Sequence, residues 1–280
     1  MAPLALDPVA PASPPRLADE DAHPPADLPN GKAALVAALD EVVDELGDLQ
    51  QALYADARHA VLVVLQGRDA SGKDGAVRRV FRGCSPLGLR VAAFGAPTAE
   101  ERAHDFLWRV HREVPPLRYV GVFNRSHYED VLVVRVRGLA PEATWRPRYD
   151  QINAFEATLA AAGVRVLKFF LHVSRAEQRK RLLERLDEPD KRWKFDPGDL
   201  DDREAWGAYT DAYREAMARC SSPAAPWFVV PADDKKARDL LIARTLVREL
   251  GALDLRVPEA KFDVAACRAR LLAGADAPEG

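Results

Sequence analysis

Residues 60–75 read AVLVVLQGRDASGKDG, in which Gly67, Gly72 and Lys73 form a G-x-x-x-x-G-K frame. At this spacing the glycines let backbone N–H groups close around an anion, and the lysine can reach the anion's reacting end. Three fixed residues of these types arise by accident in about one chain in ten of this length, so the context has to carry the assignment. Here the apolar run 60–66 reads as a buried strand, and a helix is expected from about Asp74, its N-terminal end adding to the anion site. The candidate phosphate cradle is therefore Gly67, Arg68, Asp69, Ala70, Ser71, Gly72, Lys73 and Asp74. Where the usual pattern places a Ser or Thr hydroxyl on Mg²⁺, this chain has Asp74. Asp69 is the candidate substitute, because Mg²⁺ is held by one or two carboxylates together with phosphate oxygens and waters. A turn in which Asp69 bonds its own backbone is the alternative. Asp74 is expected to cap the helix.

The elements that must position this loop follow from periodicity. Residues 32–58 carry Leu35, Leu39, Val42, Val43, Leu46 and Leu49 on one helical stripe. Strand-like runs at 60–66, 89–95, 118–124, 164–173 and 226–232 then alternate with helical stretches. That order predicts an α/β three-layer sandwich, a mostly parallel sheet with helices on both faces. Thr98 with Glu101, and Ser174 with Glu177, have capping-box spacing, and Gly163 should end the helix before the fourth strand. Residues 179–219 are highly charged and Pro-interrupted, which suggests an excursion over the carboxyl edge of the sheet, where ligands bind in such folds.

A chain of 280 residues, 48% of them hydrophobic, can bury one large core. Its formal net charge of −3 argues against a general nucleic-acid or membrane-surface binder, so any polyanion site must be a local basic patch. Cys84, Cys220 and Cys267 are odd in number and widely spaced, which fits a reducing compartment. The first thirty residues hold eight prolines and one basic residue, Arg16. They suit neither a signal nor a transit peptide and read as a disordered or loosely docked arm. A cytoplasmic protein without a membrane span is expected, with a kinase-like domain over 31–255 and an extension over 256–280.

Three further segments, GAPTAEERAHDFLWRVH (95–111), VFNRSHYEDVLVVRV (122–136) and DEPDKRWKFDPGDLDD (187–202), complete a set with GRDASGKDG. Together these resemble the polyphosphate kinase type 2 family, the polyphosphate-dependent nucleotide phosphotransferases, over about 31–250. The resemblance implies a P-loop kinase core with a helical lid at about 179–219, inorganic polyphosphate as donor, a nucleotide (AMP, ADP or ATP) as its partner, Mg²⁺ as cofactor, and homo-oligomers. It places the metal carboxylate on Asp69, the phosphate lysine on Lys73 and a phosphate-binding arginine on Arg125. In that family the residue after the loop lysine is normally Asp or Gly, which accounts for Asp74. Many members have Asp where this chain has Asn124. FNRSHYED resembles the branch accepting AMP as well as ADP, with Asn124, Arg125 and Glu129 toward the acceptor. DDKKARD (233–239) departs from the family, which often has aromatic residues after the first lysine.

On this reading Arg181, Lys191, Arg192 and Lys194 are lid cations that close over the phosphates, although i,i+4 pairs with Glu184, Asp187 and Asp190 would also explain them. Arg78, Arg79 and Arg82 begin a polyphosphate track or form a solvated helix face. Trp193 and Trp206 stack on a nucleobase or anchor the lid, and His104, His111 and His127 lack metal-ligand spacing. An ATP-dependent small-molecule kinase of the same fold and a non-catalytic nucleotide-binding scaffold are the alternatives.

Overall fold

The computed structural model describes residues 4–274. Five apolar runs become five parallel strands: β1 (Ala60–Gln66), β2 (Leu89–Ala93), β3 (Val120–Asn124), β4 (Val164–His172) and β5 (Trp227–Pro231), in the spatial order β2-β3-β1-β4-β5. β1 is central and buried along its whole length, the expected state of a parallel strand covered on both faces. Its alternation divides the core: Val61, Val63 and Leu65 join one apolar cluster, and Ala60, Leu62 and Val64 another.

Helix α1 (Lys32–Asp56) lays Leu35, Leu39, Val43, Leu46 and Leu53 on the first face, beside α2 (Lys73–Val80) and α7 (Lys235–Gly251). α3 (Arg148–Ala161) and α6 (Trp206–Cys220) cover the other face. Gly163, at φ +87°, turns the chain from α3 into β4 as expected. Both bonds of the Thr98–Glu101 capping box form. At α4 (Arg175–Asp187) Ser174 caps the Glu177 N–H, but the Glu177 carboxylate turns to Arg181 instead.

The excursion expected over 179–219 divides in two. α4, a single turn at Arg192–Lys194 and α5 (Gly198–Glu204) border the carboxyl edge. α6 belongs to the core, with Tyr209, Ala212, Tyr213, Ala216, Met217 and Cys220 buried at i, i+3, i+4 spacing. Charge density in the first half hid this apolar stripe.

Residues 4–30, suggested by composition to be disordered or loosely docked, lie along the domain. Val9 N–H donates to Trp227 O at 2.7 Å, Ser221 Oγ donates to Val9 O at 2.6 Å, and Leu17, Ala22 and Leu28 are buried. The prolines lower the entropy that docking must overcome, and these few apolar anchors suffice. The first three residues of this arm and the last six of the 256–280 extension lie outside the described residues. No described helix is long and apolar enough to cross a membrane.

Candidate active site

β1 runs through Gly67 into the loop and α2. The connection from β1 leads to the edge strand β2, whereas that from neighbouring β3 leads the other way to β4, so a crevice opens between their carboxyl ends. A cleft of about 1090 Å³ occupies it.

Side chains donate to every carbonyl of the loop from 67 to 71. Lys73 Nζ donates to Gly67 O at 2.6 Å and Arg68 O at 3.3 Å. Gln178 Nε2 donates to Asp69 O at 3.1 Å, and Arg181 Nη1 to Ala70 O at 3.1 Å and Ser71 O at 3.3 Å. Trans peptides carry C=O and N–H on opposite edges, so each carbonyl held by a side chain turns the N–H of the next residue away from that side chain; the Ser71 N–H is used within the turn, donating to Arg68 O at 3.1 Å. Ala70 takes φ +61°, unusual for alanine, at the apex of the turn.

From β3, Asn124 and Arg125 enter the same crevice. Arg125, at φ +62°, donates to Asp69 Oδ1 at 2.6 Å and to Glu129 Oε2 at 3.4 Å. Behind it Ser126, His127 and Tyr128 are buried, and Gln66 Nε2 donates to Ser126 Oγ at 3.1 Å, tying the ends of β1 and β3 together. Burial acts to raise the Asp69 pKa, but Lys73, Arg125 and Arg185 outweigh it and hold the carboxyl below its ordinary value. Burial, reinforced by Arg125, lowers Lys73 to about 8 against the opposing pull of Asp69, Glu129 and Asp74.

Asp74 does not cap α2. Gly72 occupies the N-cap position, and Asp74 Oδ1 accepts from Asn124 Nδ2 at 2.8 Å. Asn124 and Asp74 are thus joined: the amide at 124 donates to the carboxylate at 74, whereas Asp at 124 would set two carboxylates together.

The structure brings Asp69, Ala70, Gly72, Lys73, Asp74, Asn124, Arg125, Glu129, Arg181, Lys191 and Lys194 to the cleft, and leaves Gly67, Arg68, Ser71, Arg78 and Arg192 off its lining. Arg68 turns away: its guanidinium lies 4.0 Å over the Trp206 ring and donates to Thr210 Oγ1 at 2.5 Å, so Trp206 is a packing anchor. Arg181 is buried and spends its donors on four backbone carbonyls and Glu177, which makes it a clamp on the loop rather than a closing lid cation. Arg192 donates to Leu186 O at 2.8 Å. Arg79 and Arg82 are bound to Asp239 and Asp40, while Arg78 is exposed on the helix face and lies off the cleft lining. His104 stacks on Trp108, His111 and His127 pack on Phe155, and no group of three metal-binding side chains occurs among the described residues.

Several cleft residues escaped the sequence reading. Arg185, one turn beyond Arg181, pairs with Asp199 at 3.3 Å. Burial first, then Asp69, raises Asp199 to about 6 against Arg185. Arg148 binds Asp130 at 3.0 Å, and Arg109 donates to Gly95 O at 2.9 Å. Helical i+4 spacing could have indicated Arg185; Arg109 and Arg148 give no local signal. In all, eleven Lys and Arg face nine Asp and Glu in the lining, a positive excess in a chain of net charge −3.

A parallel α/β sheet with a lysine-bearing phosphate loop at its crevice defines a P-loop kinase-like phosphotransferase. The family model for polyphosphate kinase 2 matches residues 30–257. An AMP/ADP-polyphosphate phosphotransferase of Meiothermus ruber is 52% identical over 82% of this chain and 86% of its own. An ADP-polyphosphate phosphotransferase of Rhodopseudomonas palustris is 46% identical over 78% and 79%. The crystal structure of polyphosphate kinase 2 from Arthrobacter aurescens superposes with a TM-score of 0.85 at 43% identity, covering 88% of each chain. The chain belongs to the polyphosphate kinase 2 family.

Proposed function

We propose that the protein transfers the terminal phosphoryl group of inorganic polyphosphate to AMP, giving ADP, and to ADP, giving ATP. The observation that carries this reading is the convergence of Lys73, Asp69 and Arg125 where β1 and β3 end, with Arg125 bridging Asp69 and Glu129. Phosphoryl transfer proceeds through a loose transition state whose charge is spread over the equatorial oxygens, so positioned cations do most of what a protein can do. In the free site Lys73 rests on Gly67 O; an arriving phosphate is the stronger acceptor and draws the ammonium outward. Arg125 orients the phosphates from the β3 side, and Lys191 and Lys194 screen the chain and exclude water as the lid closes.

The donor set suits Mg²⁺: one oxygen of Asp69 is engaged by Arg125, and the other accepts no hydrogen bond among the described residues. Asp69 would hold the ion, with phosphate oxygens and waters completing the shell. When bound, Mg²⁺ neutralises charge developing on the transferred group. The Asn124–Asp74 pair leaves a neutral amide at the acceptor end, which supports the wider acceptor range together with the relatives' names. A cytoplasmic homo-oligomer is part of the same proposal. The test is incubation with AMP, polyphosphate and Mg²⁺ without any other kinase. ADP and then ATP should form; conversion of ADP alone would defeat the monophosphate assignment.

A further inference from the structure

The segment DDKKARD, which departs from the family pattern, has a structural role behind the phosphate loop. Asp234 Oδ1 accepts from the N–H groups of Lys236 at 2.7 Å and Ala237 at 2.9 Å, starting α7. Arg238 follows, completely buried. Its Nη1 donates to Ser71 O at 3.0 Å, while Nε and Nη2 donate to Asp239 Oδ1 at 2.9 and 2.7 Å. The other oxygen of Asp239 accepts from Arg79 Nε on α2. A chain of charge thus runs from the loop through Arg238 and Asp239 to the helix that follows the loop, eight residues on.

Arg238 is absent from the cleft lining, so it can act there only through what it holds. The peptide joining Ser71 to Gly72 is trans, and its carbonyl is held by Arg238 at 3.0 Å, with a longer second bond from Arg181 at 3.3 Å, so that the Gly72 N–H points away from Arg238. Gly72 itself lines the cleft. It stands at φ +93°, and a Cβ there would fall 2.1 Å from Arg238 Nη1. The guanidinium therefore occupies the space that any side chain at 72 would need. A buried guanidinium is costly unless its donors are met, and this one is met by the loop and by Asp239.

We propose that Arg238 is a positioning residue of the phosphate loop: through the Ser71–Gly72 peptide it sets an N–H donor toward the bound phosphate, with Asp239 and Arg79 holding the guanidinium in place. The proposal rests on the reading of the loop as a phosphate site. Arg238→Lys keeps a charge beside Asp239 and so protects the fold, but one ammonium cannot reproduce the planar fork that spans Ser71 O and Asp239. Arg79→Gln, at a partly exposed position, loosens the same chain from its outer end.

Tripolyphosphate binding measured by calorimetry, per folded molecule from a melting curve, should weaken about tenfold in Arg238→Lys, the scale of one misaligned charge-assisted bond. A smaller loss in the same direction is expected for Arg79→Gln. The KM for polyphosphate should rise in parallel while the KM for the nucleotide stays put, a split that general loss of stability does not produce. Unchanged affinity and KM in both variants would overturn the positioning role alone. Failure of the unmodified protein to bind tripolyphosphate would overturn the loop reading and this proposal with it.

Discussion

The phosphate loop and residues 188–197, part of the lid expected over about 179–219, are both rich in charged and polar residues, but they are held in opposite ways. Each loop carbonyl from 67 to 71 accepts a bond from a side chain, and Arg181 and Arg238 reach it from two different helices. Among the described residues, the side-chain ties of 188–197 are to nearby positions: Lys191 to Glu188, Arg192 to Leu186 O, and Arg185 to Lys194 O. Trp193 is 78% exposed beside Lys194. Buried guanidinium groups fix the half of the site that must be ready before the donor arrives. Exposed cations are left on the half that has to admit it.

If the loop is the prebuilt half, removing its charges should damage turnover far more than folding. Lys73→Ala and Asp69→Asn are each expected to lower kcat by about 10²–10³-fold, the range for losing one preorganised charge partner. Their melting temperatures should stay near that of the unmodified protein, since both residues face the cleft rather than the apolar core. Steady-state rates with polyphosphate and ADP, beside thermal melts, make the measurement. Near-normal rates in either variant would break the comparison on the loop side.

A second, smaller effect follows from the price of burying Lys73. With its pKa lowered to about 8, chiefly by burial and then by Arg125, Lys73 is charged below that pH and loses its proton as pH rises through it. The free enzyme therefore loses a phosphate-attracting cation above pH 8. kcat/KM for polyphosphate, which reports groups of the free enzyme, should fall along a limb centred there. Lys73→Arg, with a far higher intrinsic pKa, should remove that limb whatever its absolute rate. A profile unchanged through pH 10 would overturn the lowered pKa, since Lys73 would then keep its proton across the whole range.

Much of this architecture was legible in the chain, and the reasons differ by residue. Strand β1 announced itself because a strand buried on both faces is a continuous apolar run, and Gly67, Gly72 and Lys73 because the cradle needs fixed local spacing. Roles set by long-range geometry were not legible. Arg181 looks like any lid cation until the fold brings it under Ala70 and Ser71, 111 and 110 residues away in sequence. Arg68 sits inside the motif, yet points to α6 because Trp206 offers its guanidinium an aromatic face. The Asn124–Asp74 bond joins two positions that look like separate irregularities. α6 was hidden by the charge density of the segment before it.

The smallest expected effect belongs to the lid and sharpens the comparison from its other side. Lys191 and Lys194 both border the cleft, and the only ion-pair partner of Lys191 among the described residues is Glu188, at 2.5 Å, with both side chains 45% exposed. Such surface pairs contribute little to stability, because water already solvates both charges. Replacing both lysines with Gln should therefore leave the melting temperature unchanged. A polyanion passing under the lid would nevertheless lose two screened attractions, so KM for long polyphosphate should rise by about two- to fivefold. The same loss should reduce the dependence of KM on salt, since fewer cations then meet the chain, while kcat at saturating donor stays close to normal. Titrating KCl against long and short polyphosphate separates the possibilities. An unchanged salt response would show that these lysines face solvent throughout the cycle, and that the cations meeting the donor are those nearer the loop, Arg125 and Arg185.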